Sequence, residues 1–370
     1  MKSTSETHLV AFVHLGETKP KHLFPNMRRV RNQTRNAGIE VVLIGTSQEL
    51  LREAINQGFQ AMQYDTTPEV EALLSDHEKV FDHDFRRGFW RFSIERLFAL
   101  ASIFDQIEDA RVLHIESDIL TFTNFPFETI FGLEDSTWAK LNEATDVGSL
   151  IFLPSREKSK LFRSALVEVL TQEISLTDMT ALSKLGMRDS TVGYFPIAES
   201  STSEYLNFSN LSQASSKRMT DLYSYFNGIF DSAPIGMFEL GQDPRNNWGM
   251  IRRGIRLDHS GVFAERYKLV LSNEGTLKTS KGIEVFCLHV HSKEVRLFEE
   301  DGEKFLQRRL KKRNSKFGKI SFSFVAFGEM LRDYRERGKL FVLLMNFPPI
   351  KKIRHYEPVQ ILENWFRRKR

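Results

Sequence analysis

Two short apolar runs open the chain, HLVAFVH at 8–14 and IEVVLI at 39–44, each with the length and residue types of a strand. The polar, basic stretch 25–36 between them has the length of a connecting helix. The opening therefore reads as β-α-β, the start of a parallel sheet. Residues 49–58 read as the next helix, closed by Gly58. Over 90–104, Trp90, Ile94, Leu97, Phe98, Ala101 and Phe104 recur at helical spacing, the pattern of an amphipathic helix lying on a sheet. RVLHI at 111–115 reads as a buried central strand and VGSLIFL at 147–153 as another. Helices are expected at 161–170 and 175–185, the second with capping chemistry at Thr177-Asp178. A short strand is expected at 193–197, a Ser/Asn-rich loop at 200–216 and a late strand, IEVFCLHV, at 283–290. There is no internal repeat. Helices alternating with strands make this an α/β protein.

Composition narrows the class. With 41% apolar and 27% charged residues over 370, the chain suits a globular protein and excludes a collagen, a mucin-like stalk or wholesale disorder. Its 31 Phe call for a large core. A single cysteine, Cys287, excludes an internal disulfide and a four-cysteine zinc site. The start, MKSTSETHLV, lacks the apolar core of a signal peptide, and the longest apolar runs, such as 340–345, are too short to span a bilayer. A cytoplasmic location is the expectation.

Charge divides the chain. From Arg308 onward there are 18 Lys/Arg against 5 Asp/Glu, a surplus of 13 positive charges, while the whole chain carries only +4. We therefore expect a main domain at 1–307 and a basic, mainly helical extension at 308–370, with helices near 324–337 and 359–368 on either side of Pro348-Pro349. Such an extension suits an anionic surface, docking onto the core or a second subunit, or a plain solvated tail.

The chemistry begins at Glu116-Ser117-Asp118, directly after the 111–115 strand. Residues two apart in an extended segment point to one side. Two carboxylates thus converge at the carboxyl end of a central strand, where open α/β sheets place ligands. Close carboxylates repel unless a cation lies between them or one takes a proton. Hard divalent cations favour such oxygens, and Mg²⁺ commonly shares its sphere with substrate phosphates. An ordinary loop start is the plain alternative. At the other end of the chain, His289-Val290-His291-Ser292-Lys293 closes an apolar strand. Its two histidines share a face; with Cys287 they could form a zinc face, or simply hydrogen-bond.

Trp90-Arg91-Phe92, Arg96-Leu97 and the run Val112 to Leu120 around Glu116-Ser117-Asp118 resemble the core of GT-A fold glycosyltransferases of the bacterial polysaccharide and lipopolysaccharide type. The resemblance covers most of the chain from Val10 to about Lys293. It implies a Rossmann-related, mostly parallel sheet flanked by helices, with Glu116-Ser117-Asp118 as a variant of their DxD motif. It implies metal ligation by Glu116 and Asp118, completed by His291 or His289. It also implies that Arg91, Arg96, Ser117 and Lys293 face the nucleotide-sugar. Asp146 to Leu153 is similar to the strand beside the donor sugar. Asp178 lies where these enzymes start a helix with an acidic residue aimed into the site, although Thr177-Asp178-Met179 completes neither the inverting nor the retaining pattern. Asp231 and Asp243, in Phe230 to Gly236 and Gly241 to Asn247, are further candidates for a catalytic or acceptor-binding carboxylate.

The expected activity is a metal-dependent, hexosyltransferase-like transfer from a nucleotide-diphosphate sugar, a UDP-sugar foremost, to a glycan or glycolipid hydroxyl, with Mn²⁺ or Mg²⁺. The extension would supply a peripheral contact with the inner membrane face or a homo-oligomer interface, and no nucleic acid is expected as partner. Two alternatives compete. A sugar nucleotidyltransferase would need a Gly-rich phosphate loop after the first strand, where this chain has His14-Leu15-Gly16-Glu17-Thr18. A non-enzymatic nucleic-acid binder would use the basic tail alone and bind less tightly with salt.

Overall fold

The runs read as strands pair side by side in a computed structural model that describes residues 6–80, 88–201, 212–240 and 268–314. Its first half contains β1 (Thr7–His14), α1 (Leu23–Thr34), β2 (Glu40–Gly45), α2 (Gln48–Asn56), β3 (Gln60–Gln63), α3 (Pro68–Glu78) and α4 (Phe89–Ala101). Then come α5 (Ile103–Gln106), β4 (Ala110–Ile115), β5 (Ile119–Thr121), α6 (Phe127–Phe131), β6 (Thr137–Asn142), β7 (Thr145–Leu153), α7 (Arg156–Gln172), α8 (Asp178–Arg188) and β8 (Gly193–Tyr194). Seven strands form one sheet in the order β3-β2-β1-β4-β7-β6-β8. All run parallel except β7, which pairs antiparallel with both β4 and β6. This is the mostly parallel α/β sheet flanked by helices that the alternating pattern implies.

Central strands covered on both faces read as unbroken apolar runs. β7 is buried along its whole length, and β1 and β4 are buried at their centres. One large core gathers Val10, Phe12, Leu43, Leu113, Ile115 and Phe152 from the sheet with Met27 and Val30 of α1. The strand order reverses between β1 and β4, since β2 and β3 lie on one side of β1 and β4 lies on the other. That reversal opens a crevice at the carboxyl ends of the two strands.

Several expected elements change shape. The helix expected over 90–104 is α4 followed by a separate turn, α5, with Ser102 between them. The helix expected at 175–185 starts at Asp178, because Thr177 and Thr180 form a reciprocal capping box. Part of the expected 200–216 loop is helix: Ser212 caps Gln213–Asp221. The late strand 283–290 is two strands, β12 (Glu284–Val285) and β13 (Cys287–His289). β12 joins a small sheet with β9 (Gly228–Ile229), β11 (Leu277–Thr279) and β10 (Leu269–Leu271), whereas β13 pairs with β5. Phe286 is the break: its N–H bonds to Ile229 O (2.9 Å), while its carbonyl accepts from Phe122 N (3.0 Å).

The helix Pro234–Leu240 packs on β13 through Gly236. A Cβ there would collide with the carbonyl oxygen of His289 and stand 2.8 Å from Asp231 Oδ2. Backbone cannot yield as a flexible side chain does. Gly236→Ala is therefore expected to cost about 1–3 kcal/mol, read as a lower urea midpoint. An unchanged midpoint would show that this helix moves away freely.

The chain divides into Met1–Glu303 and Lys304–Arg370. Of the second unit, Lys304 to Asn314 is described, as part of the helix Gly302–Asn314; Leu306 and Leu310 share one face, and Lys304, Arg308 and Lys311 are exposed. The helices expected at 324–337 and 359–368 lie outside the described residues, as does Asp243. Among the described residues, no helix is long and apolar enough to cross a membrane.

Candidate active site

β4 ends at Ile115, and the chain turns at once. Glu116 N donates to Ser149 O of β7 (2.9 Å), and Ile119 N closes the turn on Glu116 O (3.0 Å). Helix α1 holds the turn from the other side. Asn26 Nδ2 donates to Ser117 O (3.0 Å) and Ile119 O (2.8 Å), and His22 Nε2 lies 3.2 Å from Ser117 Oγ. The turn leads into β5, whose Ile119 pairs with His289 of β13. Val290 N donates to Asp118 O (2.7 Å), fastening the two segments together.

This register brings His289 onto the acidic pair. Its Nε2 lies 3.1 Å from Asp118 Oδ2 and 3.7 Å from Glu116 Oε2. One ligand atom from each of Glu116, Asp118 and His289 falls within 4.8 Å of the others. Two carboxylates and an imidazole, with Asp118 and His289 buried and Glu116 partly exposed, suit a hard to borderline divalent cation such as Mn²⁺ or Mg²⁺. The residues present therefore fit the group.

Charges around this cluster are arranged in a chain. Arg96 of α4 bonds to Glu116 with one nitrogen and to Asp178 Oδ2 with the other (3.1 Å). Gly148 on β7 leaves room for it, since a Cβ there would lie 3.1 Å from Arg96 Nη2. Burial alone pushes the Glu116 carboxyl up, but Arg96, then His289 and Lys293, outweigh it and hold it well below the usual carboxylate range. Asp178, the first residue of α8, is pushed up by burial, with Arg96 opposing and Glu116 adding to the rise. Lys293 Nζ donates to Asp118 Oδ2, the same oxygen that faces His289.

The remaining candidates fall elsewhere. Asp231 is fully buried and receives four backbone N–H groups: Ala233 (2.9 Å), Ile235 (3.0 Å), Gly236 (2.7 Å) and His289 (2.9 Å). It joins the start of helix Pro234–Leu240 to β13, and so fixes the backbone of His289. His291 lies beyond the end of β13, its ring 4.3 Å from that of His289, and is outside the three-ligand group. Arg91 forms ion pairs with Glu71, Glu78 and Glu95 (2.5, 3.5 and 3.5 Å). Cys287 is buried and its thiol is pushed up, mainly by burial and then by Asp231. That opposes the thiolate a zinc face would need.

Sequence reasoning missed His22 and Asn26. Their spacing of four was the available signal, because His22 is the N-cap residue of α1 and Asn26 lies one turn later on the same side. His22 is held at about 4 by burial, then by Lys293 and His14, and His114 inside β4 at about 3 by burial and then Arg96. Both folded values lie below the ordinary 6.5. The unfolded chain therefore takes up protons that the fold refuses, and stability falls as pH drops from 6.5 towards 4. Each histidine contributes a slope of up to about 1.4 kcal/mol per pH unit. His22→Gln and His114→Gln should each flatten the curve of unfolding free energy against pH; a slope unaltered in both variants would refute this origin.

No protein-family model matches the chain, and no curated protein matches its sequence. Among solved structures it is similar to the galactosyltransferase LgtC in complex with donor and acceptor sugar analogues, at 12% identity and a TM-score of 0.39, over 58% of this chain and 83% of that chain.

Proposed function

We propose that the chain is a metal-dependent glycosyltransferase that moves a sugar from a nucleotide-diphosphate donor, a UDP-sugar foremost, to the hydroxyl of a glycan or glycolipid. The observation that carries this reading is the convergence of Glu116, Asp118 and His289 beside the β1/β4 reversal. A divalent cation bound there supplies positive charge for a departing diphosphate. Lys293 offers an ammonium for the same charge. Arg96 pairs with Glu116 through one nitrogen and with Asp178 through the other, and so links the cation site to the start of α8. Asp178, raised by burial, is the carboxylate we assign to accept the acceptor's proton. The basic extension suits attachment to an anionic surface that carries the acceptor.

A nucleotidyltransferase is disfavoured by the turn after β1. A phosphate loop presents free backbone N–H groups, whereas Gly16 N is already donated to Thr46 Oγ1 (3.1 Å). The test is a thermal-shift panel of nucleoside diphosphates and nucleotide-sugars, with and without Mn²⁺, followed by donor hydrolysis. At 100 times Kd, a ligand that binds only the folded form stabilises it by about 2.7 kcal/mol. UDP with Mn²⁺ should raise the melting temperature accordingly. No response to any nucleoside diphosphate in Mn²⁺ would refute the reading.

A further inference from the structure

The lysine four residues beyond the end of β13, Lys293, lies in an unusual place. Its ammonium rests on Asp118 Oδ2, the oxygen that also faces His289 Nε2 at 3.1 Å. Asp118 is nearly closed to solvent, with a side chain 5% exposed, whereas the Lys293 side chain is 33% exposed. One end of this ion pair is therefore closed off from solvent and the other is partly exposed. The backbone of Lys293 is held in the left-handed region, at φ 54°, by a turn in which its N–H bonds to Val290 O (2.9 Å). A residue without a Cβ would suit that conformation better. The strained turn places a long, flexible cationic side chain at the mouth of the three-ligand cluster.

We propose that Lys293 is an internal cation: in the free protein its ammonium occupies the metal's place on Asp118, and an arriving divalent cation displaces it outward, where it meets the diphosphate. The inference rests on the metal and nucleotide reading above and concerns the regulation of that site. Two cations on one carboxylate oxygen repel strongly, so metal and ammonium compete. Displaced, the ammonium needs only its four-carbon stem to turn; the backbone stays. The diphosphate then gains a partner that was engaged before the metal arrived. Metal alone binds weakly, and metal and nucleotide each improve the other's affinity, as reciprocal coupling requires. Free nucleotide without metal finds the lysine occupied. The device keeps the buried carboxylate compensated when no metal is present, which an empty cluster would not.

Two measurements on the full chain test this. The first is calorimetric titration with Mn²⁺ alone. If the metal-ready form is a tenth of the population, Lys293→Met should bind Mn²⁺ about tenfold more tightly than the unaltered protein. Lys293→Arg, which keeps the charge, should stay near the unaltered value. The second needs no variant: acetylation at Lys293, read by mass spectrometry. It should be slow in the free protein, faster with Mn²⁺, and slow again with Mn²⁺ and UDP together. Equal Mn²⁺ affinity in Lys293→Met and the unaltered protein would overturn the inference and leave the metal reading standing. So would acetylation indifferent to bound Mn²⁺. If neither protein binds Mn²⁺, the metal reading fails and the inference fails with it.

Discussion

Asp118→Asn is expected to weaken Mn²⁺-dependent binding of UDP by about 100-fold or more, roughly 2.7 kcal/mol. The substitution keeps the shape of the side chain and removes its charge. Asp118 is the least exposed of the three candidate ligands; its carbonyl takes Val290 N, and one carboxylate oxygen faces both His289 and Lys293. An amide can still accept from Lys293, so the turn between β4 and β5 should persist. Its neutral oxygen, however, cannot hold a divalent cation as a carboxylate does. UDP binding without metal should change far less, which separates loss of the ion from loss of the fold. Calorimetry with and without Mn²⁺, beside a thermal melt, measures both. Metal-dependent binding that survives in Asp118→Asn would remove Asp118 from the metal site.

The acidic strand end was legible because β4 is mostly apolar, in ARVLHI, and is followed at once by Glu116 and Asp118. Its partner was legible only by type. His289 and His291 alternate along one apparent strand, and nothing local decides between them. The decision is tertiary: β5 is three residues long, its register places Ile119 against His289, and the strand ends there. The same is true of the break at Phe286, where IEVFCLHV looks continuous while its two halves join different sheets. Helix phase explains the two arginines. Arg91 and Arg96 are five residues apart, about 140° around a helix. Arg96 lies by the apolar face of α4 and reaches Glu116, whereas Arg91 turns to Glu71 and Glu78 of α3. α3 itself left a readable signal that the apolar pattern overlooked, a Thr67 cap followed by Pro68 and then Val70 and Leu74 at a spacing of four. β6 was hidden for the opposite reason. Its Lys140 is buried against Asp146 of β7 (2.9 Å), so a charged residue stands where strand periodicity calls for an apolar one.

Arg96→Met should destabilise the fold by about 3–5 kcal/mol at neutral pH, the largest expected effect on stability. The arginine is largely covered, its side chain 13% exposed, and it serves two carboxylates that otherwise repel each other, Glu116 and the buried Asp178. Removing it leaves both without their strongest compensating charge. The pH dependence identifies the cause. In the unaltered protein Glu116 titrates below its ordinary 4.5, so its contribution is present above that value and is lost as pH falls. Without Arg96 the folded values of Glu116 and Asp178 both move up. Their contribution is then lost as pH rises through those raised values, and acidification restores it. The gap in stability between variant and unaltered protein should therefore be widest near pH 7.5 and narrow towards pH 5. Urea unfolding at the two pH values measures it. Asp178→Asn added to Arg96→Met should recover part of the loss, because one of the two stranded charges is gone. A gap of equal size at both pH values would mean that Arg96 acts through packing alone, and that the two carboxylates do not depend on it for their charge.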